Sequence, residues 1–467
     1  MSRPLALDDA RVAVLILRLA GPAILGISAH ALQMVVNAWF VADLGATAIA
    51  TIAIAYPVTL LVAALGYGAG IAAASQVSRA LGAGDGNRAG AAAALGFWLA
   101  LPAGLAVTVA ILLDTPAWLR LLGADEALAA AAAPYTALAT VGTGLMLVMI
   151  VGGFVVRAQG HARLSGAIMV GGFGLNIVLD AVLIRFCGLG TLGAGWAIVG
   201  AQVAAALAYL WVFARGRGAL RLVSPRRGGP GLLGEALRLA VPVTGSSLLA
   251  AFAMALFVEA AAPYGAAAVA AQGIALRLTL VAALPLLGLV AGAQVVFGHA
   301  AGAGLPHRLR RALGFTVAAS LVYGLAAGGL MIALAAPLVG LFAQEAETVR
   351  AGIEAVSVFA LAFLPIGLQL TAAALFQAIG APRRAAAVSL AAQGLALIPP
   401  LLILPPLLGY EGVLVSRVVA EYLADGLGLV LLLAWAAGAR RAAGAARIEG
   451  RKALLMPAPH EAAYQGP

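Results

Sequence analysis

The sequence predicts an all-α polytopic membrane protein, with twelve transmembrane helices in two six-helix lobes related by pseudo-two-fold symmetry along the membrane normal. Three observations predict it. The chain is 63% hydrophobic and only 10% charged, with mean hydropathy +1.05; soluble domains carry about 25% charged residues, so the surplus apolar surface has to face lipid. Twelve apolar windows long enough to span a bilayer follow one another along the chain. Segments of the first half recur in the second at one fixed displacement, the one that carries Pro22 onto Pro242.

The windows fall at 12–41, 46–70, 89–113, 127–154, 163–185, 191–214, 236–260, 266–296, 311–342, 350–378, 385–406 and 410–437, each bounded by charge or by Gly/Pro punctuation. The first run is too long for a signal-peptide core and reads as span 1. With the N-terminus inside, the inner segments hold Arg3, Arg11, Arg18, Arg79, Arg88, Arg157 and Arg163, then the cluster from Arg215 to Arg238. Arg308, Arg310, Arg311, Arg383, Arg384 and the tail follow, 23 of the 28 basic residues in all. The opposite side holds only Arg120, Arg185 and Arg350. Such a bias sets orientation, so both termini are expected in the cytoplasm and an even number of spans is required. The net charge of +10 is therefore topology, not a nucleic-acid surface.

The repeat is read from several places. "LRLAGPAILG" at 17–26 returns as "LRLAVPVTGS" at 237–246, and the same displacement pairs Gly45 with Gly265. "RAQGHARLSGA" (157–167) meets "QAIGAPRRAAA" (377–387) in the same register, while "LGAGWAIVGAQ" (192–202) meets "LGYEGVLVSRV" (408–418) with a slip of about four. Residues 1–214 are the expected N-terminal lobe, 215–235 an Arg-rich linker, 236–438 the C-terminal lobe and 439–467 a cytoplasmic tail. Two parallel six-span lobes bind substrate between them and alternate access by rocking. The organisation says transporter.

Other classes are excluded by what the chain lacks. Cys187 is its single cysteine, so no disulfide within the chain and no cysteine metal cluster can form. There is no His pair at metal-ligand spacing, no Walker A sequence and no catalytic triad. Neither an enzyme nor an ATP-driven pump is expected, and no cofactor.

In this setting the residues resemble the multidrug and toxic compound extrusion (MATE) family, part of the multidrug, oligosaccharidyl-lipid and polysaccharide flippase superfamily. The resemblance covers about residues 12–437. It rests on Pro22 followed by "DLGATAIA", "SQVSRALGAGD" (75–85), "AAVAAQGIALRL" (267–278), "VFGHAAGAG" (296–304), "RAQGHAR", and "NIVLD" in span 5. It implies a twelve-span secondary antiporter.

Asp180 is the sharpest single signal. A carboxylate at the centre of an apolar span costs about 2.5–3.5 kcal/mol on insertion scales and persists where it faces a partner or cavity. Asn176 lies four residues earlier, on the same helix face. The pair could ligate Na⁺ with hard oxygens, could take up a proton on Asp180, or could serve as packing glue between helices. The resemblance implies a cation site here, completed by a span 1 carboxylate. The matching position is Asn37, which departs from the family pattern and favours a proton on Asp180; a further departure is Gly200, where some relatives place a hydroxyl.

Elsewhere the polar residues divide between cavity and packing. Met34, Met149, Phe154, Phe173, Phe252 and Phe257 suit an adaptable apolar pocket with faces for an organic cation. Glu259, Arg277 and Gln369 are further candidates for substrate contact, although an ion pair of Arg277 with Glu259 or Glu354 is favoured. Arg417, Glu421 and Asp425, spaced by four in span 12, read as a satisfied structural stripe. Pro22 interrupts the backbone bonding of span 1 and is the expected hinge.

The expected function is export of organic cations or amphipathic drugs in exchange for H⁺ or Na⁺, by a monomer in a bacterial cytoplasmic (inner) membrane. The alternative is a flippase for lipid-linked oligosaccharide or another lipid, which needs a cationic cavity; within spans only Arg277 and Arg417 qualify.

Overall fold

The computed structural model describes residues 11–216 and 220–455. Arg3, Arg217 and the end of the tail from residue 456 lie outside the described residues. Among the described residues eleven helices are long and apolar enough to cross a membrane, twelve with one bent pair counted as a single span. The first lobe comprises α1 (Val12–Ala42), α2 (Ala46–Gly82), α3 (Gly86–Leu113), α4 (Glu126–Ala158), α5 (Ala162–Asp180) and α6 (Gly190–Ala214). A π-helical turn, Ala181–Phe186, continues α5. The second lobe comprises α7 (Leu232–Glu259), α8 (Ala266–Gly302), α9 (Pro306–Ala333), α10 (Ala346–Leu361 and Phe363–Ala378, bent by 46°), α11 (Pro382–Leu408) and α12 (Tyr410–Leu455).

The repeat governs where helices start and stop. Ala46–Gly82 and Gly86–Leu113 recur, in the register that pairs Pro22 with Pro242, as Ala266–Gly302 and Pro306–Ala333. The displacement holds to the last span, since α6 begins at Gly190 and α12 at Tyr410. The expected slip of four is therefore corrected: it aligned two Leu-Gly pairs that sit at different heights in their helices.

Several span ends differ from expectation. The helices α2 and α8 run on past the expected ends, through "SQVSRALG" to Gly82 and through "GHAAG" to Gly302, because small buried residues there pack helix on helix rather than meeting lipid. Span 9 stops at Ala333, and a separate short helix, Ala335–Gly340, follows. Its counterpart in the first lobe is Thr115–Leu121, capped by Asp114, whose carboxylate accepts from the Ala117 N–H at 2.9 Å. Asp85 and Asp125 cap α3 and α4 in the same way, at 2.8 and 2.7 Å. Such caps satisfy amide groups that a helix start leaves unpaired. At the start of α9 a proline, Pro306, takes this place, having no N–H to satisfy.

The lobes meet at one end of the bundle, where α1 and α7 begin and α2 and α8 end. Glycines allow backbone-to-backbone approach: a Cβ on Gly292 would lie 2.8 Å from the Ile16 carbonyl, and one on Gly82 would lie 2.2 Å from that of His299. Ser75 donates to the Gln377 carbonyl, Gln76 to the Leu232 carbonyl (2.9 Å) and Thr244 to that of Ala64 (3.3 Å), all across the lobes. Glu235 of α7 bridges Arg79 (2.5 Å) and Arg88 (3.5 Å) of the first lobe. All of these cross-lobe bonds lie toward this joined end or the middle of the helices.

The Glu235 bridge is partly exposed, and such pairs contribute about 1 kcal/mol or less. In a cysteine-free background, Glu235→Gln is expected to speed maleimide labelling of Ser78→Cys at the closed end by up to about fivefold. An unchanged rate would mean that the glycine packing alone holds the closure.

Between the lobes, the linker is fixed to the first. Leu220 is buried, Val223 donates its N–H to the Gly90 carbonyl, and Gly228 packs against Ala91. Gly229 and Gly231 then take positive φ, +82° and +86°, and α7 starts immediately after. Only glycine adopts such angles without strain.

Candidate functional site

Helices α1, α2, α4, α5 and α6 of the first lobe surround a cavity of about 420 Å³. From α1 it receives His30, Gln33, Met34 and Asn37, residues that the helical period sets along one face. Helix α2 supplies Tyr56, Thr59 and Tyr67; α4 supplies Tyr135, Thr143 and Met146; α5 and α6 add Phe173, Asn176 and Gln202. Among these lining residues there is no Arg, Lys, Asp or Glu. Its surface combines the rings of His30, Tyr56, Tyr67, Tyr135 and Phe173 with Met34, Met146 and small aliphatic side chains, interrupted by amides and hydroxyls. The His30 and Phe173 rings stack at 4.5 Å.

Asp180 lies at the back of this wall, with no exposed surface. Asn37 Nδ2 donates to Asp180 Oδ2 at 3.1 Å, while Gln33 Nε2 donates to Asn176 Oδ1 at 2.6 Å. Two amides of α1 therefore dock side by side on two polar residues of α5. The other carboxylate oxygen, Asp180 Oδ1, is buried with no hydrogen-bond partner. Such an orphan acceptor is costly in an apolar wall, and a proton or a cation on Asp180 would relieve it. Helix α5 changes to the π-helical turn directly after Asp180; turns of this kind collect at functional sites. Gly200, where some relatives were expected to offer a hydroxyl, instead faces Leu179.

The structure gathers four of the sequence candidates, Met34, Asn37, Phe173 and Asn176, around one cavity and sets Asp180 behind it. The others lie elsewhere. Met149 is buried in the helical core, and Phe257 is fully buried against Phe359. Phe154 stacks beneath the Arg157 guanidinium, 4.7 Å from ring to charge, near the closed end. Phe252 and Glu259 are exposed on α7. Arg277 is exposed on α8 and forms no ion pair with Glu259 or Glu354 among the described residues, which corrects the pairing expected for it. Gln369 is buried in the second lobe, against α12. Asp43, just beyond α1, pairs with Arg185. Pro22 lies within an unbroken α1 and faces Gly166 of α5, whose Cβ would meet the Pro22 carbonyl at 2.6 Å.

Sequence reasoning missed His30, Gln33, Tyr135 and Gln202. The first two were detectable: His30, Gln33 and Asn37 stand at i, i+3 and i+7 in an otherwise apolar span, a polar stripe on one face. Tyr135 and Gln202 carry no such signal.

Asn37 is the described donor to Asp180. Asn37→Ala is expected to lower thermal stability by about 1–3 kcal/mol, the cost of a buried acceptor left unsatisfied. The loss should be larger at alkaline pH, where Asp180 carries its charge, and smaller in acid. A pH-independent loss in melting experiments would show that the bond does not serve the ionised form.

Twelve spans in two repeated lobes, joined at one end and carrying a cavity with a carboxylate set behind its wall, are the plan of a membrane transporter. The chain belongs to the MatE family, whose model matches residues 22–182 and again 242–402, two copies at the displacement of the helices themselves. Similar proteins include the multidrug export protein MepA of Staphylococcus aureus, 25% identical over 409 residues that cover 86% of this chain and 89% of that protein. A protein of Shewanella oneidensis named FAD transporter is 24% identical over 407 residues, 84% of this chain and 88% of its own length. Among solved structures, a crystal structure of MATE in complex with MaL6 superposes with a TM-score of 0.86 at 25% identity, covering 92% of this chain and 98% of that one.

Proposed function

We propose that this protein is a secondary antiporter that exports amphipathic organic cations or drugs in exchange for protons. The observation that carries the reading is Asp180: a fully buried carboxylate with one oxygen bonded to Asn37 and the other unpartnered, beside a cavity of aromatic and methionine side chains. The rings attract an organic cation through their faces, and the methionines adapt to its shape. The ionised Asp180 adds a negative charge behind the wall that favours a cationic guest. A proton on Asp180 removes that charge, weakens binding and releases the guest. Competition for one charge is sufficient for exchange.

Proton rather than Na⁺ coupling is favoured by the ligand set. The Asn176 oxygen already accepts from Gln33, and Asn37 offers an amide where a second carboxylate would strengthen an Na⁺ site. The rocking bodies are residues 1–214 and 236–438, a monomer in a bacterial inner membrane with both termini cytoplasmic. In that orientation the joined end of the lobes is cytoplasmic. Pro22 is the proposed hinge, at a point where the α1 backbone packs against Gly166 of α5. The name of MepA fits this reading. An anionic substrate such as a flavin dinucleotide or a pyrophosphate-linked lipid fits it less well, since neither Arg nor Lys lines the cavity.

The test is ethidium efflux from proteoliposomes under an imposed pH gradient or an imposed Na⁺ gradient, applied separately. Efflux driven by the pH gradient alone is expected. Drive by Na⁺ alone would replace the proton in this scheme, and no drive by either would end the antiporter reading.

A further inference from the structure

The second lobe holds a buried polar cluster that the repeat does not relate to Asp180; the repeat pairs Asp180 with Pro400. On α12, Arg417 pairs with Glu421 at 2.7 Å. Glu421 accepts from the side-chain amide of Gln369 on α10, and Asp425 Oδ1 accepts from the Gln369 backbone N–H at 2.8 Å. That backbone bond requires the two helices to be close, and Gly428 allows it: its Cβ would lie 3.3 Å from Gln369 Cα.

The stripe is therefore not the satisfied structural feature that its spacing predicts. Glu421, Asp425 and Gln369 are all buried, at 5%, 3% and 4% exposure, yet Asp425 Oδ2 and Gln369 Oε1 have no hydrogen-bond partner. Gln369 is aimed into the cluster by its bond to Glu421, so its unpartnered oxygen belongs to the same site. The cluster has more acceptors than donors, and one negative charge more than positive. No charged residue of α11 between Ala385 and Leu408, or of α10 between Phe363 and Ala378, compensates it. The charges of α10, Glu347, Arg350 and Glu354, stand in its first turns, and those of α11, Arg383 and Arg384, in its first turn.

We propose that Asp425 is a second proton-binding site, in the second lobe. A proton from water adds to Asp425 Oδ2, the carboxylate becomes a neutral acid, and the acceptor without a donor becomes an O–H donor. Charge in the cluster then balances, with Arg417 and Glu421 remaining an ion pair. Na⁺ is a poor alternative, because two free oxygens do not make a coordination shell for a hard cation. The site stands on its own geometry and does not depend on the coupling assigned to Asp180.

The test reads protonation rather than transport. Among the described residues Asp180 and Asp425 are the buried aspartates. Full-length Asp180→Asn protein in lipid is expected to keep a pH-dependent infrared C=O band at the high frequency of an acid in an apolar environment. Carboxyl-¹³C aspartate labelling should move that band, and Asp180→Asn/Asp425→Asn should lose it. The labelling result stands even where the double variant does not fold. Absence of a band from Asp180→Asn, a band moved only by labelled glutamate, or one that survives when Asp425→Asn is added to Asp180→Asn would each overturn the proposal.

Discussion

Asp180→Asn is expected to abolish proton-driven ethidium efflux while leaving the cavity able to bind its substrate. The substitution preserves size and supplies a donor to the buried site, so the fold is retained. Among the described residues it removes the one carboxylate set directly behind the cavity wall, the charge that a proton can cancel. Coupling between two ligands is worth about 1–3 kcal/mol, or roughly 5–150-fold in affinity. The pH dependence of ethidium affinity should therefore collapse from a factor in that range to unity. Net efflux under a pH gradient should fall to the level of empty liposomes. Fluorescence titration of ethidium at two pH values checks the first part, and the gradient assay checks the second. Retained pH-dependent binding would move the coupling proton elsewhere, and Asp425 would be the first place to look.

A comparable effect is expected from Gly302→Leu, at the opposite end of the machine. A Cβ at Gly302 would stand 1.9 Å from the Arg79 carbonyl oxygen and within 2.8 Å of that residue's Cα. The obstruction is backbone in the middle of helix-on-helix packing, so no side chain can swing away. Overpacking of this kind costs about 1–3 kcal/mol, enough to shift the closed form by about one to two orders of magnitude. Distances between spin labels on the ends of α2 and α8 should lengthen, and gradient-driven transport should fall with them. Ethidium binding in the first-lobe cavity, far from Gly302, should survive. Unaltered distances would mean that the two helices slide along each other to absorb the side chain.

Much of the architecture was legible because lipid imposes simple rules. Apolar length, arginine placement and a constant displacement between the halves identified twelve spans and two lobes. The helix ends were less legible: "SQVSRALG" is polar enough to resemble a loop, but its small residues are buried between helices. At the site, Asp180 and Asn176 stood out because a charge in an apolar span demands a reason. The aromatic candidates did not sort correctly, since an apolar ring serves lipid, core and cavity alike. Phe173 lines the cavity, while Phe257 is packed against Phe359. The Gln369–Glu421 contact joins two helices far apart in the chain, and no local pattern announces it. A spacing of four within span 12 suggested that its charges satisfy one another, whereas the partner of Asp425 comes from another helix.

The attachment of the linker to α3 has a mechanical consequence. Of the stretch expected to tether the lobes, positions 220–228 are bound to the first lobe, and the remaining freedom is concentrated at 229–231, between two left-handed glycines. Three residues reach at most about 10 Å when extended. The second lobe is therefore carried on a short crank at a fixed corner of the first, not on a slack rope. In the rocking motion proposed above, the swing is a turn about that corner.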